Sequence, residues 1–270
     1  MADLSLAPIV PMQTSAENAD GITTVICDVR AYFDARENRE KYDAGHIPGA
    51  RHIDLDDDLA GPAGPVVGRH PLPDPESFAA SLSKAGIGHD THVLAYDDVG
   101  GMLAGRLVWM LRSLGQNAAL LDGGLQAWEG ELETSAPEFE PAVCTAREFP
   151  AEATVEAEEV EDFIAAGGVV VDVREPDRFR RENETLDSEG GHIDGAINAP
   201  FSKNLVAGTF RPISDLASEY VDLDIGEDTI YYCGSGVSAC NSMLVAEAAG
   251  LGLGRLYVGS WSGYSTRPVE

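Results

Sequence analysis

An internal repeat limits the fold of this chain more than any other feature of its sequence. TTVICDVR at residues 23–30 recurs as GGVVVDVR at 167–174, and GHIPGARHIDL at 45–55 recurs as GHIDGAINAPF at 191–201. Two further blocks recur in the same order, with 92–115 answered by 229–252 and 119–128 by 255–264. The displacement is 136 to 146 residues. Solenoid repeats have far shorter periods, so the pattern predicts two duplicated domains.

Each half alternates short apolar strands with helix-like stretches, such as 78–85 and 155–166. This alternation is typical of α/β units on a largely parallel sheet. We predict an N-terminal domain over residues 1–130 and a C-terminal domain over 155–270. The stretch between them, 131–154, carries three prolines without a sustained period, which indicates an ordered linker.

One cysteine stands in a loop whose sequence suits nucleophilic chemistry. Residues 228–244, DTIYYCGSGVSACNSML, predict a strand, a tight loop and then a helix. Gly234 and Gly236 allow backbone N–H groups to point at the sulfur of Cys233, and the positive end of the helix faces the same place. Such a cradle favours the thiolate, with a pKa below the free value of ~8.5. The loop alone supports equally a small buried structural cysteine.

The repeat assigns different residues to this position in the two halves. Asp97 stands in the first half where Cys233 stands in the second. Only the second half therefore carries the nucleophile, and we predict that the C-terminal domain is catalytic. We expect the N-terminal domain to be structural and to supply one wall of the site.

Composition excludes several classes of partner. The 270 residues contain 18 Lys and Arg against 46 Asp and Glu, a formal net charge of -28. Nucleic acid and anionic membranes both require a basic face, so neither is an expected partner. Four cysteines without metal-ligand spacing predict a reducing compartment. With no basic, apolar leader and no membrane-length segment, we expect a cytoplasmic protein, and a monomer because duplicated domains bury each other's apolar faces.

The repeated DVR, the repeated GHI-x-GA and the single cysteine loop resemble the tandem-domain rhodanese sulfurtransferases. The resemblance covers residues 23–269 and implies two rhodanese-like domains, each a mostly parallel sheet flanked by helices. Within that family, the loop Cys-Gly-Ser-Gly-Val-Ser is similar to that of the 3-mercaptopyruvate sulfurtransferases. Thiosulfate-using members more often carry basic residues directly after the cysteine, where this chain has Gly234 and Ser235.

The resemblance implies a persulfide mechanism. Cys233 as thiolate attacks the sulfane sulfur of a small-molecule donor, expels pyruvate or sulfite and holds the sulfur as a persulfide. Backbone N–H groups of the loop stabilise that sulfur, and the loop residues expected to bind it are Gly234, Gly236, Val237 and Ser238. Cyanide, a low-molecular-weight thiol or a thioredoxin-like protein then accepts the sulfur. No metal or organic cofactor is expected.

Assisting residues follow from the same resemblance. HPLPDPESF at 70–78 resembles the family's His-x-Leu-Pro segment, and Asp56 stands where these enzymes keep an acidic residue. With Ser235 they resemble a Ser-His-Asp arrangement: Ser235 near the leaving enolate, His70 relaying a proton, and Asp56 orienting His70. On the residues alone, His70 is an exposed loop histidine beside prolines.

Three arginines occur in PDRFRRENETLD, residues 176–187 of a chain with few cations. The segment resembles the family's Arg-aromatic-Arg-Gly stretch, in which an arginine binds the donor's carboxylate. Arg178 and Arg180 take the two arginine positions, and Arg181 replaces the glycine. We expect one arginine to bind the donor, with Arg178 the better candidate, and the others to pair with neighbouring carboxylates.

Several other residues are expected to be structural. The equivalent histidines of the two halves are predicted to anchor turns, and the repeated Asp-Val-Arg residues to tie strand ends to loops. Cys240 is expected to pack in the core, since it lies two helical turns beyond Cys233. Trp261 is expected either to close the mouth of the site or to make a buried aromatic contact.

Two rival classes, besides thiosulfate as the donor, stay open on sequence grounds. Cell-cycle cysteine phosphatases place a cysteine in a similar loop, but they need an arginine six residues later, where this chain has Ala239. A non-catalytic sulfur-carrier or interaction module is the other alternative. The intact cysteine loop argues against it.

Overall fold

The computed structural model describes residues 4–14, 23–32, 35–135 and 137–268. The chain divides into two compact units. Unit 1 comprises Met1–Ala60, Pro73–Phe149 and Ala207–Thr209, and unit 2 comprises Gly61–Leu72, Pro150–Val206 and Phe210–Glu270. Residues 1–3 and 15–21 of the N-terminal stretch 1–21, in which no leader is expected, lie outside the described part. No helix within the described part is long and apolar enough to cross a bilayer.

Unit 1 is built on a five-stranded parallel sheet with the strand order β1-β5-β4-β2-β3. Its strands are β1 (Ile9–Pro11), β2 (Thr24–Asp28), β3 (Arg51–His52), β4 (His92–Tyr96) and β5 (Ala118–Asp122). Its helices are α1 (Ala35–Ala44), α2 (Leu55–Asp58), α3 (Pro75–Lys84), α4 (Ala104–Ser113) and a 3-10 turn at Gly124–Ala127. Apolar side chains of β4 and β5 are buried, which fits central strands covered on both faces.

Unit 2 repeats this plan, with a parallel sheet in the order β6-β12-β11-β7-β8. Its strands are β6 (Thr154–Val155), β7 (Val170–Asp172), β8 (Ile197–Asn198), β11 (Ile230–Tyr232) and β12 (Arg255–Tyr257). Short strands β9 (Leu205–Val206) and β10 (Thr209–Phe210) stand apart from this sheet. The helices are α5 (Ala157–Ala165), α6 (Pro176–Phe179), α7 (Ile213–Asp222), α8 (Ser238–Ala248) and α9 (Ser260–Tyr264), with 3-10 turns at Ala151–Ala153 and Phe201–Asn204.

Strand register confirms the repeat and the predicted fold class. Tyr96, the last residue of β4, pairs with Asp28 of β2, and Tyr232, the last residue of β11, pairs with Asp172 of β7. The residues that follow these tyrosines therefore leave equivalent sheets at equivalent places. Side chains at the carboxyl end of a parallel strand face the region where such folds place their sites.

Each unit has a buried arginine that ties a strand end to the loop after it. Arg30 binds Asp28 at 2.7 Å and the Gly45 carbonyl at 2.8 Å. Arg174 binds Asp172 at 2.6 Å and also contacts the Gly191 carbonyl. Charge-assisted, two-point hydrogen bonds of this kind fix geometry strongly when they are buried. The expected structural role of the Asp-Val-Arg residues agrees with these contacts.

The two equivalent histidines anchor turns in their own units. His46 Nδ1 lies 2.8 Å from the Tyr42 carbonyl, and its ring stacks on Tyr42 at 3.9 Å. His192 Nδ1 lies 2.9 Å from the Phe179 carbonyl, and its ring stacks on Phe179 at 3.7 Å. The matching contacts favour a structural role for both.

Two segments belong to a different unit from the one that their position in the chain suggests. Compared with the predicted division at residues 130 and 155, residues 131–149 belong to unit 1, where Ala142 N donates to Ser83 O at 3.0 Å and Phe149 stacks on Trp109. Residues 61–72, which lie inside the predicted N-terminal domain, belong to unit 2. This second segment carries His70 to the unit that contains Cys233.

Candidate active site

Cys233 leaves the end of β11 and begins a short loop that enters α8 at Ser238. Gly236 has φ +75, a left-handed conformation that glycine adopts without strain, and it turns the loop back on itself. The side chain of Cys233 is almost wholly buried, with the residue 2% exposed. The strand, loop and helix predicted from residues 228–244 are all present.

Hydrogen-bond donors surround the Cys233 sulfur. Burial by itself raises the pKa of this thiol, but the Ser238 side chain and the backbone N–H groups of Ser235, Ala239 and Val237 all bind the sulfur and lower it. The net pKa of Cys233 lies below its ordinary value of 9.0. Donors aimed at a buried sulfur favour the charged form, which is the nucleophile.

Unit 1 shows what the same loop does with a carboxylate. Asp97, fully buried, accepts four backbone N–H groups: those of Val99 and Gly101 at 2.9 and 2.8 Å, and those of Leu103 and Ala104 at 2.8 and 2.9 Å. Burial raises the pKa of Asp97, and these four donors oppose the rise. Because both units point loop N–H groups at the residue that follows the strand, the loop is an anion cradle in each.

Ser235 links the cysteine loop to a histidine. Its backbone N–H binds the Cys233 sulfur, and its hydroxyl oxygen lies 2.8 Å from His70 Nδ1. Ser235 is 8% exposed, and His70 is half-buried. The structure therefore brings three of the predicted residues together in unit 2: Cys233, Ser235 and His70.

Asp56 lies in unit 1, on the short helix α2. Asp54 caps this helix, accepting the backbone N–H of Asp56 at 2.9 Å and that of Asp57 at 3.1 Å. The role of Asp56 in orienting His70 stays a prediction.

The start of α9 contacts the backbone of Cys233, a contact that was not predicted from the sequence. Ser260 Oγ accepts the Cys233 backbone N–H at 3.2 Å and donates to the Tyr257 carbonyl at 3.0 Å. Ser260 has φ +50, close to the φ +55 of its counterpart Gly124 in unit 1. A non-glycine residue in this conformation is strained, and such strain concentrates at functional sites.

Two further backbone contacts join α9 to the loop. Trp261 N donates to the Cys233 carbonyl at 3.0 Å, and Ser262 N donates to the Gly234 carbonyl at 2.9 Å. The Trp261 ring is buried: its Nε1 donates to the Glu189 carbonyl at 2.7 Å, and the Arg174 guanidinium lies over it at 4.9 Å. These contacts favour the buried-aromatic interpretation of Trp261.

The two arginines predicted to bind substrate differ in position. Arg178 binds Glu184 through Nε at 3.0 Å and Nη2 at 2.9 Å, and it faces the cysteine loop: a Cβ placed on Gly234 would lie 3.4 Å from its Nη2. Arg180 pairs with Glu182 on the surface, with its side chain 55% exposed. Of the two, only Arg178 lies at the cysteine loop, and its role in donor binding stays a prediction.

A second arginine at the loop, Arg69, was not predicted from the sequence. Nη2 of Arg69 would lie 2.9 Å from a Cβ on Gly234, and Arg69 forms an ion pair with Asp187. Its neighbour in the chain is His70, the only available signal. Ser238 was predicted to bind the sulfur through its backbone, whereas the structure uses its side chain, and the Ala239 N–H was not predicted as a donor.

The arrangement suits sulfur chemistry better than the alternatives. Ala239 offers the loop only its backbone, so the position that a phosphatase needs for arginine carries no cation. Cys240 is fully buried, and its thiol donates to the Gly236 carbonyl at 3.4 Å, which fits core packing. The described residues contain no group of three or more His, Cys, Asp or Glu placed to hold a metal ion.

Comparison with known proteins decides the family. The model of the rhodanese-like domain matches twice, at residues 14–131 and 156–267. The chain belongs to the rhodanese family. The two matches correspond to the two repeats, and Cys233 lies within the second match.

Rhodanese-family relatives of this chain are named for two different donors. A Pseudomonas aeruginosa protein named as a 3-mercaptopyruvate sulfurtransferase is 36% identical over 281 residues, covering 98% of this chain and 97% of its own. A Mycobacterium tuberculosis protein named as a thiosulfate sulfurtransferase, SseB, is 38% identical over 259 residues, covering 91% and 89%. The crystal structure of the Escherichia coli 3-mercaptopyruvate enzyme SseA superposes with a TM-score of 0.81 at 30% identity, covering 95% of this chain and 99% of its own.

Proposed function

We propose that this protein is a sulfurtransferase that takes sulfur from 3-mercaptopyruvate as a persulfide on Cys233. The observation that carries the proposal is the hydrogen bond between Ser235 and His70, 2.8 Å long, beside a thiol whose pKa is lowered. Sulfur transfer from a thiol donor needs both a thiolate and a group that handles a proton at the leaving enolate. Relatives named for this activity, one of them 36% identical, support the same assignment.

Transfer of the sulfur to Cys233 forms one bond and breaks one. The Cys233 thiolate attacks the sulfur of 3-mercaptopyruvate, a new S–S bond forms, and the C–S bond breaks with its electron pair passing into the enolate of pyruvate. The proton of the donor thiol is released, and the enolate takes one proton to become pyruvate. With the proton of His70 on Nδ1, His70 donates to Ser235, and the Ser235 hydroxyl is then free to donate to the enolate oxygen.

The groups expected to bind the donor and the transferred sulfur are those that complement their negative charge. Arg178 faces Gly234 and suits the donor's carboxylate, because a planar guanidinium binds two oxygens at once. The N–H groups that bind the Cys233 sulfur suit the outer sulfur of the persulfide, which carries the negative charge. This transfer needs no metal and no organic cofactor.

The second half-reaction passes the sulfur to an acceptor. Cyanide, a low-molecular-weight thiol or a thioredoxin-like protein each attacks the outer sulfur and restores the Cys233 thiolate. All four cysteines are free thiols, which suits a reducing, cytoplasmic compartment. We propose that a single chain is active, since both units have cores of their own.

The test is a comparison of donors with one acceptor. For the purified protein with cyanide, we expect kcat/KM for 3-mercaptopyruvate to exceed that for thiosulfate. Ser235→Ala and His70→Gln should each lower kcat with 3-mercaptopyruvate by about 10² or more, the range for lost general acid-base catalysis. The double variant should be little worse than either single one, because the two residues act as a unit.

Several results would contradict this proposal. A higher kcat/KM for thiosulfate would make that donor the physiological one, and full 3-mercaptopyruvate activity in Ser235→Ala would remove the proton relay. Turnover of an aryl phosphate would revive the phosphatase alternative. Absence of turnover with both sulfur donors would leave a non-catalytic carrier.

A further inference from the structure

Both units contain an open cavity at the same place in the repeat. In unit 1 a cavity of about 340 Å³ lies beside β3, α2 and the end of α3. In unit 2 a cavity of about 290 Å³ lies beside the end of β8, the 3-10 turn at Phe201–Asn204 and the end of α7. His52 and Ile53 line the first cavity, and the equivalent Asn198 and Ala199 line the second. The cavity is therefore a property of the repeated fold.

The two units differ in charge around this cavity. Arg51 is the first residue of β3, and Ile197 takes the same register position in β8. Lys84 is the last residue of α3, and Asp222 is the last residue of α7. Unit 2 thus builds the same cavity with an apolar residue and a carboxylate at these two places. The fold itself therefore does not require the two cations of unit 1.

Arg51 is a half-buried cation without a carboxylate partner. Its Nη1 donates to the Ala85 carbonyl, and its guanidinium lies over the Phe139 ring at 4.2 Å. Burial lowers the pKa of Arg51, and within the described residues no Asp or Glu pairs with it, although the chain has 46 of them. Charges that are removed from water are ordinarily paired. The other N–H groups of Arg51 therefore suit a carboxylate of a ligand, which a guanidinium can bind at two points.

Charges of both signs face the unit 1 cavity. Besides Arg51 and Lys84, four charged residues line it: Arg39, Asp54, Asp57 and Asp58. Arg39 pairs with Asp43 at 2.9 Å. Asp54 accepts the N–H groups that cap α2, and Asp58 accepts the Asp54 N–H at 2.9 Å. Asp57 is exposed, and its carboxylate has no hydrogen bond or ion pair with the part of the chain that the structure describes.

We propose that the unit 1 cavity binds an apolar α-amino acid, with its carboxylate on Arg51 and Lys84 and its ammonium group near Asp57. A zwitterion fits best, because Asp57 repels a dianion and the two cations repel a simple amine. Pro137 and Phe139, which is 38% exposed, offer apolar contacts to the side chain of the ligand. The volume of the cavity lies within the range of about 300 to 1,000 Å³ that small-molecule sites occupy. The proposal does not depend on the chemistry at Cys233.

The experiment is calorimetric titration of the full chain with L-leucine as the probe. Two analogues with the same branched carbon skeleton each lack one charge: 4-methylpentanoate lacks the ammonium group, and 3-methylbutylamine lacks the carboxylate. We expect one L-leucine to bind per chain. The amine should bind at least about tenfold more weakly, the effect of lost charge-assisted hydrogen bonds, and 4-methylpentanoate about threefold more weakly, since Asp57 is exposed.

Variants of the cavity test which residues bind the probe. Arg51→Gln should weaken L-leucine binding by about tenfold or more. Lys84→Asp copies the residue of unit 2 at the equivalent helix end, so the fold accommodates it, and it should also weaken binding because it replaces a cation by an anion. Asp57→Asn should weaken L-leucine binding by about threefold and leave 4-methylpentanoate binding no weaker.

Two further variants serve as controls. Arg147→Gln removes an exposed cation of unit 1 that does not line the cavity, and Arg178→Gln alters the proposed donor site of unit 2. Both should bind L-leucine as the wild type does. Absence of L-leucine binding to the wild type would overturn the proposal, as would equal binding of 4-methylpentanoate, wild-type affinity in Lys84→Asp, or a loss of affinity in Arg178→Gln. Failure of sulfur transfer by the wild type would contradict the proposed function and leave this test intact.

Discussion

At the scale of single residues, the chemistry depends on how Cys233 keeps a charge while buried. Burial raises the pKa of its thiol, and an isolated thiol in such a place would be inert. The Ser238 side chain is the largest contribution that opposes burial, followed by the N–H groups of Ser235, Ala239 and Val237. Backbone donors survive any substitution of a side chain, so Ser238 is the donor that mutagenesis can remove.

Ser238→Ala should therefore raise the pKa of Cys233. Because the wild-type pKa lies below 9.0, the thiolate is populated as pH rises through that lower value, and the variant should need a higher pH to reach the same thiolate fraction. The measurement is the rate of iodoacetamide alkylation of Cys233 against pH. An unchanged midpoint in Ser238→Ala would contradict the assigned hydrogen bond, and Ser214→Ala, an exposed serine on α7, is the control.

At the scale of elements, both units contain the same succession of strand, loop and helix, but the loops surround different acidic side chains. Asp97 in unit 1 fills the cradle with a carboxylate, whereas Cys233 in unit 2 fills it with a thiol whose pKa the loop lowers. The loop geometry is thus a property of the repeat, and we expect the single residue that follows the strand to decide between a structural and a reactive use of it.

The unit 1 cradle makes a stability prediction. Asp97→Ala should lower the free energy of unfolding by about 2 kcal/mol or more, because four buried N–H groups lose their acceptor. Asp97→Asn keeps one acceptor oxygen and should lose less. Urea unfolding measures both, with Asp90→Ala, an exposed residue of the same unit, as the control. Wild-type stability in Asp97→Ala would show that the carboxylate does not support the loop.

The sequence predicts some elements of the fold and the candidate site but not others. The sequence predicts the strands and the helices at 78–85 and 155–166, because hydrophobic periodicity is a local pattern. The equivalence of Asp97 with Cys233 follows from comparing the two repeats with each other. The contacts of His70 with Ser235 followed from the family resemblance. Arg69 and Ser260 were not predictable, since each reaches the loop from far along the chain and stands in no recognisable motif.

Unit membership was likewise invisible in the sequence. Residues 61–72 pack with unit 2 although they precede most of unit 1, and Gly68 makes this possible through its close approach to Gly259. A glycine that is required because a distant carbonyl oxygen approaches it closely has no local sequence signature. The same segment supplies both His70 and Arg69. The candidate site therefore depends on a segment whose membership of unit 2 was not predicted.

At the scale of the whole molecule, the dominant feature is a formal net charge of -28. Self-repulsion of like charges destabilises a compact state, and salt screens it, with a Debye length that falls from about 30 Å at 0.01 M to about 3 Å at 1 M. We therefore expect the thermal midpoint to rise between these two concentrations of potassium chloride. Sucrose at equal osmolality is the control, and a midpoint that falls with salt would contradict the expected repulsion.

The central claim is that Cys233 alone carries the transferred sulfur. Mass spectrometry of the protein after incubation with 3-mercaptopyruvate, followed by peptide mapping, tests it most directly. We predict one added sulfur, on the Cys233 peptide, lost on treatment with cyanide and absent in Cys233→Ser, with Cys27, Cys144 and Cys240 unmodified. No added sulfur on Cys233, or sulfur on one of the other three cysteines, would contradict the account.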